Sequence, residues 1–115
     1  MLPDRILLHL ADGRRVPVDP GEIYLLETAE GDTSVRLRSR RRLRDVRRLG
    51  DLVELLAPHG FVRIHRSHAV NLRRVREIRP VGGGWEVRMD PPVNRVLPVS
   101  RREASDLFAA YGDAG

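Results

Sequence analysis

The stretch Phe61-Val-Arg-Ile-His-Arg-Ser-His-Ala-Val-Asn71 decides how the chain folds, because an apolar alternation runs directly into a cluster of polar side chains. Val62 and Ile64 lie two residues apart and share one face of an extended strand. Arg63 and His65 point the other way. The same register would bury Arg66, and an unpaired buried Arg is costly. We therefore expect the strand to end, bulge or turn near Arg66 and Ser67, which projects Arg66 outward towards an anionic or base-edge partner.

Before this stretch, the chain reads as short strands separated by turns. Asp12-Gly13 is a dipeptide typical of tight hairpin turns, and Pro17 places the returning strand at a sheet edge because it lacks a backbone donor. Residues 28–34 are polar and contain Gly, so they are predicted to form a loop. The predicted strands cover residues 5–10, 16–18, 23–27 and 35–38.

After it, residues 75–81 and 85–89 are predicted to form a hairpin, followed by a short strand over residues 96–99. The run Gly82-Gly83-Gly84 supplies the turn. In the second strand of this hairpin, alternation predicts a buried face made of Trp85, Val87 and Met89.

Two helices are predicted from apolar residues at helical spacing. The first is short because of Gly50, and its apolar positions are Leu49, Leu52, Val53 and Leu56. The second follows Ser100, which forms a capping-box pattern with Glu103, and its apolar stripe contains Ala104, Leu107, Phe108 and Tyr111. Arg101 and Arg102 then fall in its first turn, where the helix dipole favours negative charge by about 0.3 to 1 kcal/mol. This placement suggests a phosphate partner, although two ordinary exposed arginines remain an open interpretation.

The composition describes one basic domain. The chain has 115 residues, 21 arginines, no lysine, 16 acidic residues and a net charge of +5. Eight arginines fall within residues 36–48 and four within residues 73–79, which favours a positive surface that attracts phosphates. A solvated face balanced by acids elsewhere is the alternative.

Several kinds of site are excluded or disfavoured. The absence of Cys excludes disulfides and thiolate sites, and no apolar run reaches the roughly 20 residues of a membrane span, so we expect a soluble cytoplasmic protein. His65 and His68 would point to opposite faces of a strand without a nearby carboxylate, so we expect no metal and no cofactor. Ser67 lacks a nucleophile-elbow pattern, and the three glycines lack the Lys of a phosphate loop. We therefore expect no enzymatic activity.

Two separated motifs resemble those of the LytTR family of bacterial DNA-binding domains. The first is Phe61 followed by Arg-x-His-Arg-Ser and Val-Asn, and the second is Val-Ser-Arg at residues 99–101, about thirty residues later. The similarity extends over residues 3–111, which we take as the domain, with residues 112–115 as a flexible tail. It implies an elongated, mostly antiparallel β fold with one short internal helix and a C-terminal helix.

The resemblance also implies how DNA is bound, namely through loops that enter successive major grooves of a bent duplex. By position, the residues that match the family's base contacts are Thr33, Arg66 and Arg101. Those that match its phosphate contacts are Ser34, Arg63, Ser67 and Arg102. We therefore expect a transcription regulator that binds double-stranded promoter DNA sequence-specifically, at paired repeats and as a possible dimer.

Two departures from the family's pattern affect these expectations. Thr33 is short, which predicts weak or altered base readout by the first loop, and His68 replaces a larger apolar or aromatic residue. Many members also carry an N-terminal receiver domain, for which 115 residues leave no room, so we expect either a free-standing regulator or an excised domain. An RNA-binding module and a protein-interaction module are the alternative functions, and steep salt dependence would argue against the latter.

Overall fold

Strands in three antiparallel sheets form most of the fold in the computed structural model, which describes residues 4–113. A two-stranded sheet contains β1 (Ile6–His9) and β2 (Arg15–Val18). A five-stranded sheet contains β3 (Ile23–Ala29), β4 (Asp32–Leu37), β5 (Arg42–Asp45), β6 (Phe61–His65) and β7 (His68–Asn71), in the order β5-β4-β3-β7-β6. A three-stranded sheet contains β8 (Val75–Val81), β9 (Gly84–Met89) and β10 (Val96–Val99), in the order β10-β9-β8.

Two α-helices complete the architecture and confirm the predicted fold class. The short helix α1 (Leu49–Leu56) joins β5 to β6, and α2 (Arg101–Ala110) follows β10. The backbone N–H of Glu103 donates to the Ser100 hydroxyl oxygen at 3.3 Å, as the capping pattern predicts. Neither helix in the described part of the chain is long and apolar enough to cross a membrane.

The five-stranded sheet separates two apolar cores, because its central strands are buried on both faces. One core lies between this sheet, the two-stranded sheet and α1, and it includes Leu8, Leu26, Val35, Leu52, Leu56 and Phe61. The other lies between the five-stranded sheet, the three-stranded sheet and α2, and it includes Tyr24, Leu25, Ile64, Val70, Met89, Leu97 and Leu107. The resulting molecule measures 43 × 35 × 25 Å along its principal axes.

Asn71, the last residue of the focal stretch, is a buried structural residue. Its amide nitrogen donates to the Ile23 carbonyl at 2.9 Å and to the Pro20 carbonyl at 3.3 Å, and its side-chain oxygen accepts from the Arg73 backbone N–H at 3.1 Å. A buried amide with these partners fixes where β7 ends against the start of β3.

The predicted loop over residues 28–34 is wrong. β3 continues to Ala29 and β4 begins at Asp32, so only Glu30 and Gly31 form the turn. Their φ angles are 51° and 92°, and a two-residue hairpin loop with positive φ at both positions matches the twist of the strands it joins. The polar side chains that suggest a loop instead alternate along a half-exposed strand.

Trp85 is not buried as its alternation with Val87 and Met89 predicts. The other two side chains are fully buried, whereas Trp85 stays 36% exposed and packs against the Phe108 ring, edge to face, at a centroid distance of 4.8 Å. It lies near the start of β9, opposite Val99, where α2 is the covering element. The apolar face of β9 therefore continues past the edge of the core.

Candidate nucleic-acid interface

The focal stretch folds as two antiparallel strands joined by a two-residue turn. β6 ends at His65, Arg66 and Ser67 form the turn, and β7 begins at His68. The register shifts between Arg63 and His65, which is the irregularity expected where continued alternation would bury an Arg. Arg66 is exposed, so the predicted break and outward projection are confirmed.

Two side chains of β6 hold this turn in place. The Arg63 guanidinium donates from Nε to the His65 carbonyl at 3.3 Å and from Nη2 to the Arg66 carbonyl in a short hydrogen bond. The Nδ1 atom of His65 accepts from the Ser67 backbone N–H at 3.2 Å. Because carbonyl and amide groups of the turn are both engaged, Arg66 projects from a braced backbone.

Backbone hydrogen bonds bring three chain segments to one edge of the molecule. The Thr28 N–H donates to the Ser67 carbonyl at 3.0 Å, which places the β3–β4 turn beside the β6–β7 turn. The Ser100 N–H donates to the Ile64 carbonyl at 2.9 Å, which attaches the start of α2 to the end of β6. We call residues 30–31, 66–67 and 100–102 the loop edge.

The loop edge carries cations without internal partners. Arg66, Arg101 and Arg102 are exposed, and within residues 4–113 none of them forms an ion pair. Arg101 and Arg102 open α2, whose unsatisfied backbone donors already attract anions. This edge is therefore suited to phosphate oxygens and to acceptor atoms on bases.

Thr33 lies inside the protein. Its side chain is fully buried, and its hydroxyl donates to the Arg47 carbonyl at 2.8 Å. The next residue, Ser34, is half-buried on the opposite face of β4, between Glu27 on β3 and Arg44 on β5. The structure thus gathers Arg63, Arg66, Ser67, Arg101 and Arg102 at or beside the loop edge, and places the side chains of Thr33 and Ser34 elsewhere.

His65 and His68 do not point to opposite faces, as a continuous strand would require. The turn makes them a cross-strand pair with ring centroids 5.8 Å apart. No group of three or more His, Cys, Asp or Glu side chains within residues 4–113 could hold a metal ion.

His68 belongs to a polar cluster that sequence spacing does not reveal. Its Nε2 lies 3.0 Å from Glu27 Oε2, and Arg95 binds both oxygens of the same carboxylate at 3.1 Å. Arg95 holds the pKa of Glu27 below its ordinary value, while burial lowers the pKa of His68 despite the nearby carboxylate. Since Arg95 lies 68 residues from Glu27, only the tertiary fold brings them together.

The two arginine clusters do not form one continuous positive surface. Arg47 is committed to buried Asp45 at 2.7 Å, Arg74 donates to the Gly21 carbonyl at 2.7 Å, and Arg79 pairs with Glu86 at 2.6 Å. Arg48 differs, because it is exposed and lines a cleft of about 500 Å³ between the β3–β4 turn and the start of α1, with Arg63 on the same cleft. The clusters therefore supply both structural residues and surface charge.

Comparison with known proteins adds an independent finding. Residues 13–112 match the family model of the LytTr DNA-binding domain. The chain is also 28% identical over 108 residues to the sensory transduction protein LytT of Oceanobacillus iheyensis, covering 93% of this chain and 44% of that protein. The chain thus spans less than half the length of this relative.

A solved structure has the same fold. It is the LytTr DNA-binding domain of a Bacillus cereus protein described as a methyl-accepting/DNA response regulator, and the TM-score is 0.77. The two chains are 25% identical, and the match covers 96% of this chain and 99% of the other. The family that the chain matches is one of DNA-binding domains and not of enzymes.

Proposed function

Because the chain belongs to the LytTR family of DNA-binding domains, we propose that it binds duplex promoter DNA sequence-specifically through the loop edge. The observation that carries the proposal is a set of exposed arginines that form no ion pair within residues 4–113, on segments held together by backbone hydrogen bonds: Arg66, Arg101 and Arg102. Arg side chains carried on a backbone that is already held in place suit both bidentate guanine contacts and phosphate contacts. The net charge of +5 adds a sequence-independent attraction.

The proposed contacts divide into base readout and backbone positioning. Arg101 and Arg66 read bases in two successive major grooves of a bent duplex. Ser67 and Arg102 bind the phosphates between them. Arg63, whose Nη1 lies at the cleft beside α1, adds a phosphate contact while holding the turn. Thr33 is left out of the base contacts because its side chain is internal.

Ser34 is proposed as a further phosphate contact, and Arg48 extends the family-based set. Ser34 is half-exposed on the open side of β4, and Arg48 is exposed at the cleft beside the loop edge. Two copies of the domain, placed on paired repeats, would regulate transcription in the bacterial cytoplasm. The proposed domain covers residues 3–111 with a flexible tail at 112–115, of which residues 3, 114 and 115 lie outside the described part of the chain.

Selection of bound sequences from a random duplex pool, followed by mobility shifts at two salt concentrations, tests the proposal. Arg101→Ala should lower affinity for the selected duplex by about 1 to 3 kcal/mol and relax its sequence preference. Arg102→Ala should weaken selected and random duplexes to a similar extent, with a shallower salt dependence. Equal losses for both variants on both duplexes would contradict these roles.

The same experiment separates the other two functions. An RNA-binding module would select single-stranded RNA over duplex DNA, and it would need stacking platforms. Among the described aromatic residues, Tyr24 and Phe61 are buried, which leaves the Trp85 and Phe108 pair and Tyr111. A protein-interaction module would lack the phosphate contacts that make duplex binding fall steeply with salt concentration.

A further inference from the structure

One face of the five-stranded sheet is uncovered over β4 and β5. In β4, Thr33, Val35 and Leu37 are buried, whereas the alternate residues are half-exposed on the other face. In the edge strand β5, Arg42 and Arg44 are exposed on that same open side. The three-stranded sheet covers this face only further along, where Leu25 of β3 and Val70 of β7 enter the second core.

Four arginines occupy or border this open surface, which we call the basic face: Arg36, Arg42, Arg44 and Arg95. Arg36 lies directly opposite Arg42 in the β4–β5 register. Like charges placed directly opposite each other destabilise a sheet. The repulsion between the two guanidinium groups therefore lowers the stability of the sheet unless an anion lies between them.

Arg36 is the least satisfied member of the basic face. Its Nε atom is buried and, within residues 4–113, has no hydrogen-bond partner. Its pKa is lowered, first by burial and then by the charges of Arg42, Arg95 and Arg40. A buried donor without an acceptor costs free energy, so the Arg36 guanidinium is held on this face at an energetic penalty.

The carboxylates around the basic face are already engaged. Arg95 and His68 both bind Glu27, and Arg44 binds Asp32 at 3.1 Å. In the described part of the chain, neither Arg36 nor Arg42 forms an ion pair. The face therefore has two cations available to an external anion.

We infer that the basic face is a phosphate-binding track that contacts the same DNA duplex beyond the loop edge. This inference rests on the proposed function. β4 starts beside the β3–β4 turn of the loop edge, and Ser34 and Arg36 follow on one side of the strand, about 7 Å apart. The planar fork of Arg matches phosphate oxygens, and the track continues from the proposed interface.

The test compares two duplexes that contain the selected sequence, one trimmed to it and one extended by random flanks of about one helical turn on each side. The wild-type protein should bind the extended duplex more tightly. Two added phosphate contacts should also make that advantage fall about tenfold between roughly 50 and 200 mM salt. The double variant Arg36→Gln/Arg42→Gln should lose the advantage of the flanks and keep its affinity for the trimmed duplex.

The matched control is Arg73→Gln/Arg76→Gln, which removes the same charge from exposed positions after β7. It should keep the advantage of the flanks. Arg42→Gln alone, at an exposed edge position, should lose part of that advantage even if the Arg36 substitution disturbs folding.

If the double variant kept the wild-type advantage of the flanks, the inference would be overturned. Polyglutamate serves as a probe for an acidic protein partner. A double variant that lost binding to polyglutamate but bound flanked DNA like the wild-type protein would also overturn the inference. The second result would assign the face to an acidic protein partner. If the wild-type protein selected no duplex at all, the proposed function itself would fail, which is a distinguishable result.

Discussion

The two hairpin turns of the loop edge have the same length and opposite construction. The β3–β4 turn consists of Glu30 and Gly31, both with positive φ, and it carries a carboxylate. The β6–β7 turn consists of Arg66 and Ser67, and donors from the Arg63 side chain engage the carbonyl groups of Arg66 and of His65 just before it. One turn obtains its shape from backbone conformation, whereas side chains of the preceding strand hold the other.

This difference separates shape from charge at the loop edge. The first turn presents little that can read a base, because Thr33 behind it is buried against the Arg47 carbonyl. The second turn presents Arg66 on a braced backbone, which lowers the ordering cost of a contact. Side-chain readout should therefore come from the β6–β7 turn and the start of α2, with the β3–β4 turn contributing shape.

The largest expected effect comes from removing the side chain that each turn exposes. Arg66→Ala should weaken binding to the selected duplex by about 1 to 3 kcal/mol, because it removes the proposed base contact. Glu30→Ala should leave affinity unchanged or raise it slightly, since it removes only an exposed acid that lies 3.7 Å from Arg44. Anisotropy titrations with labelled duplex measure both. Comparable losses for the two variants would show that the turns do not differ in role.

A smaller effect is expected from removing the brace. Arg63→Ala should destabilise the fold by about 1 to 2 kcal/mol, the range for charge-assisted hydrogen bonds reduced for partial exposure. It should also speed hydrogen exchange at the Ser67 amide. Urea unfolding and exchange spectra measure these changes. Arg63→Lys should not restore protection, because an ammonium lacks the planar fork that reaches two carbonyls. Full rescue by Lys would reduce the role of Arg63 to charge alone.

The first turn should respond in stability and not in binding. Thr33→Val keeps the side-chain shape but leaves the Arg47 carbonyl without its donor, at a cost of about 1 kcal/mol in unfolding free energy. DNA affinity should remain within a factor of two, measured by the same titrations. Ser34→Ala is the matched control and should show the reverse, with little change in stability and weaker binding. A sequence-preference change in Thr33→Val would return Thr33 to the base contacts.

Sequence patterns predict the strands and helices whose residues alternate or repeat clearly. β8 and β10 have the predicted boundaries, and α1 covers its four spaced apolar residues. β5 is missed, because Leu43 is its only apolar side chain among two arginines and an aspartate. What makes Arg42–Asp45 a strand is tertiary, since buried Asp45 accepts from the His9 backbone N–H at 2.8 Å across 36 residues.

The candidate site divides in the same way. The exposure of Arg66 follows from the local pattern, because continued alternation would bury a cation. The burial of Thr33 does not, since its partner carbonyl lies fourteen positions away on a segment whose strand is itself missed. The Glu27 and Arg95 pair cannot be predicted from local sequence either, because the two residues are 68 positions apart. The pairing of His65 with His68 depends on the position of the turn between β6 and β7.

The smallest expected effect is a pH dependence of stability that arises from His68. This residue follows the β6–β7 turn and contacts Glu27 on β3, the strand that leads into the β3–β4 turn. Burial lowers its folded-state pKa from the ordinary value of 6.5, although Glu27 opposes that shift. The unfolded chain then binds a proton at a higher pH than the folded protein, so stability should fall as the pH drops below about 6.5. The lowered pKa of Glu27 acts in a separate window, because that contribution is lost only below its ordinary value of 4.5. Urea unfolding between pH 7.5 and 5.5 should therefore show that the unfolding free energy depends less steeply on pH in His68→Gln than in His59→Gln. Identical pH dependence in the two variants would remove His68 as the titrating group.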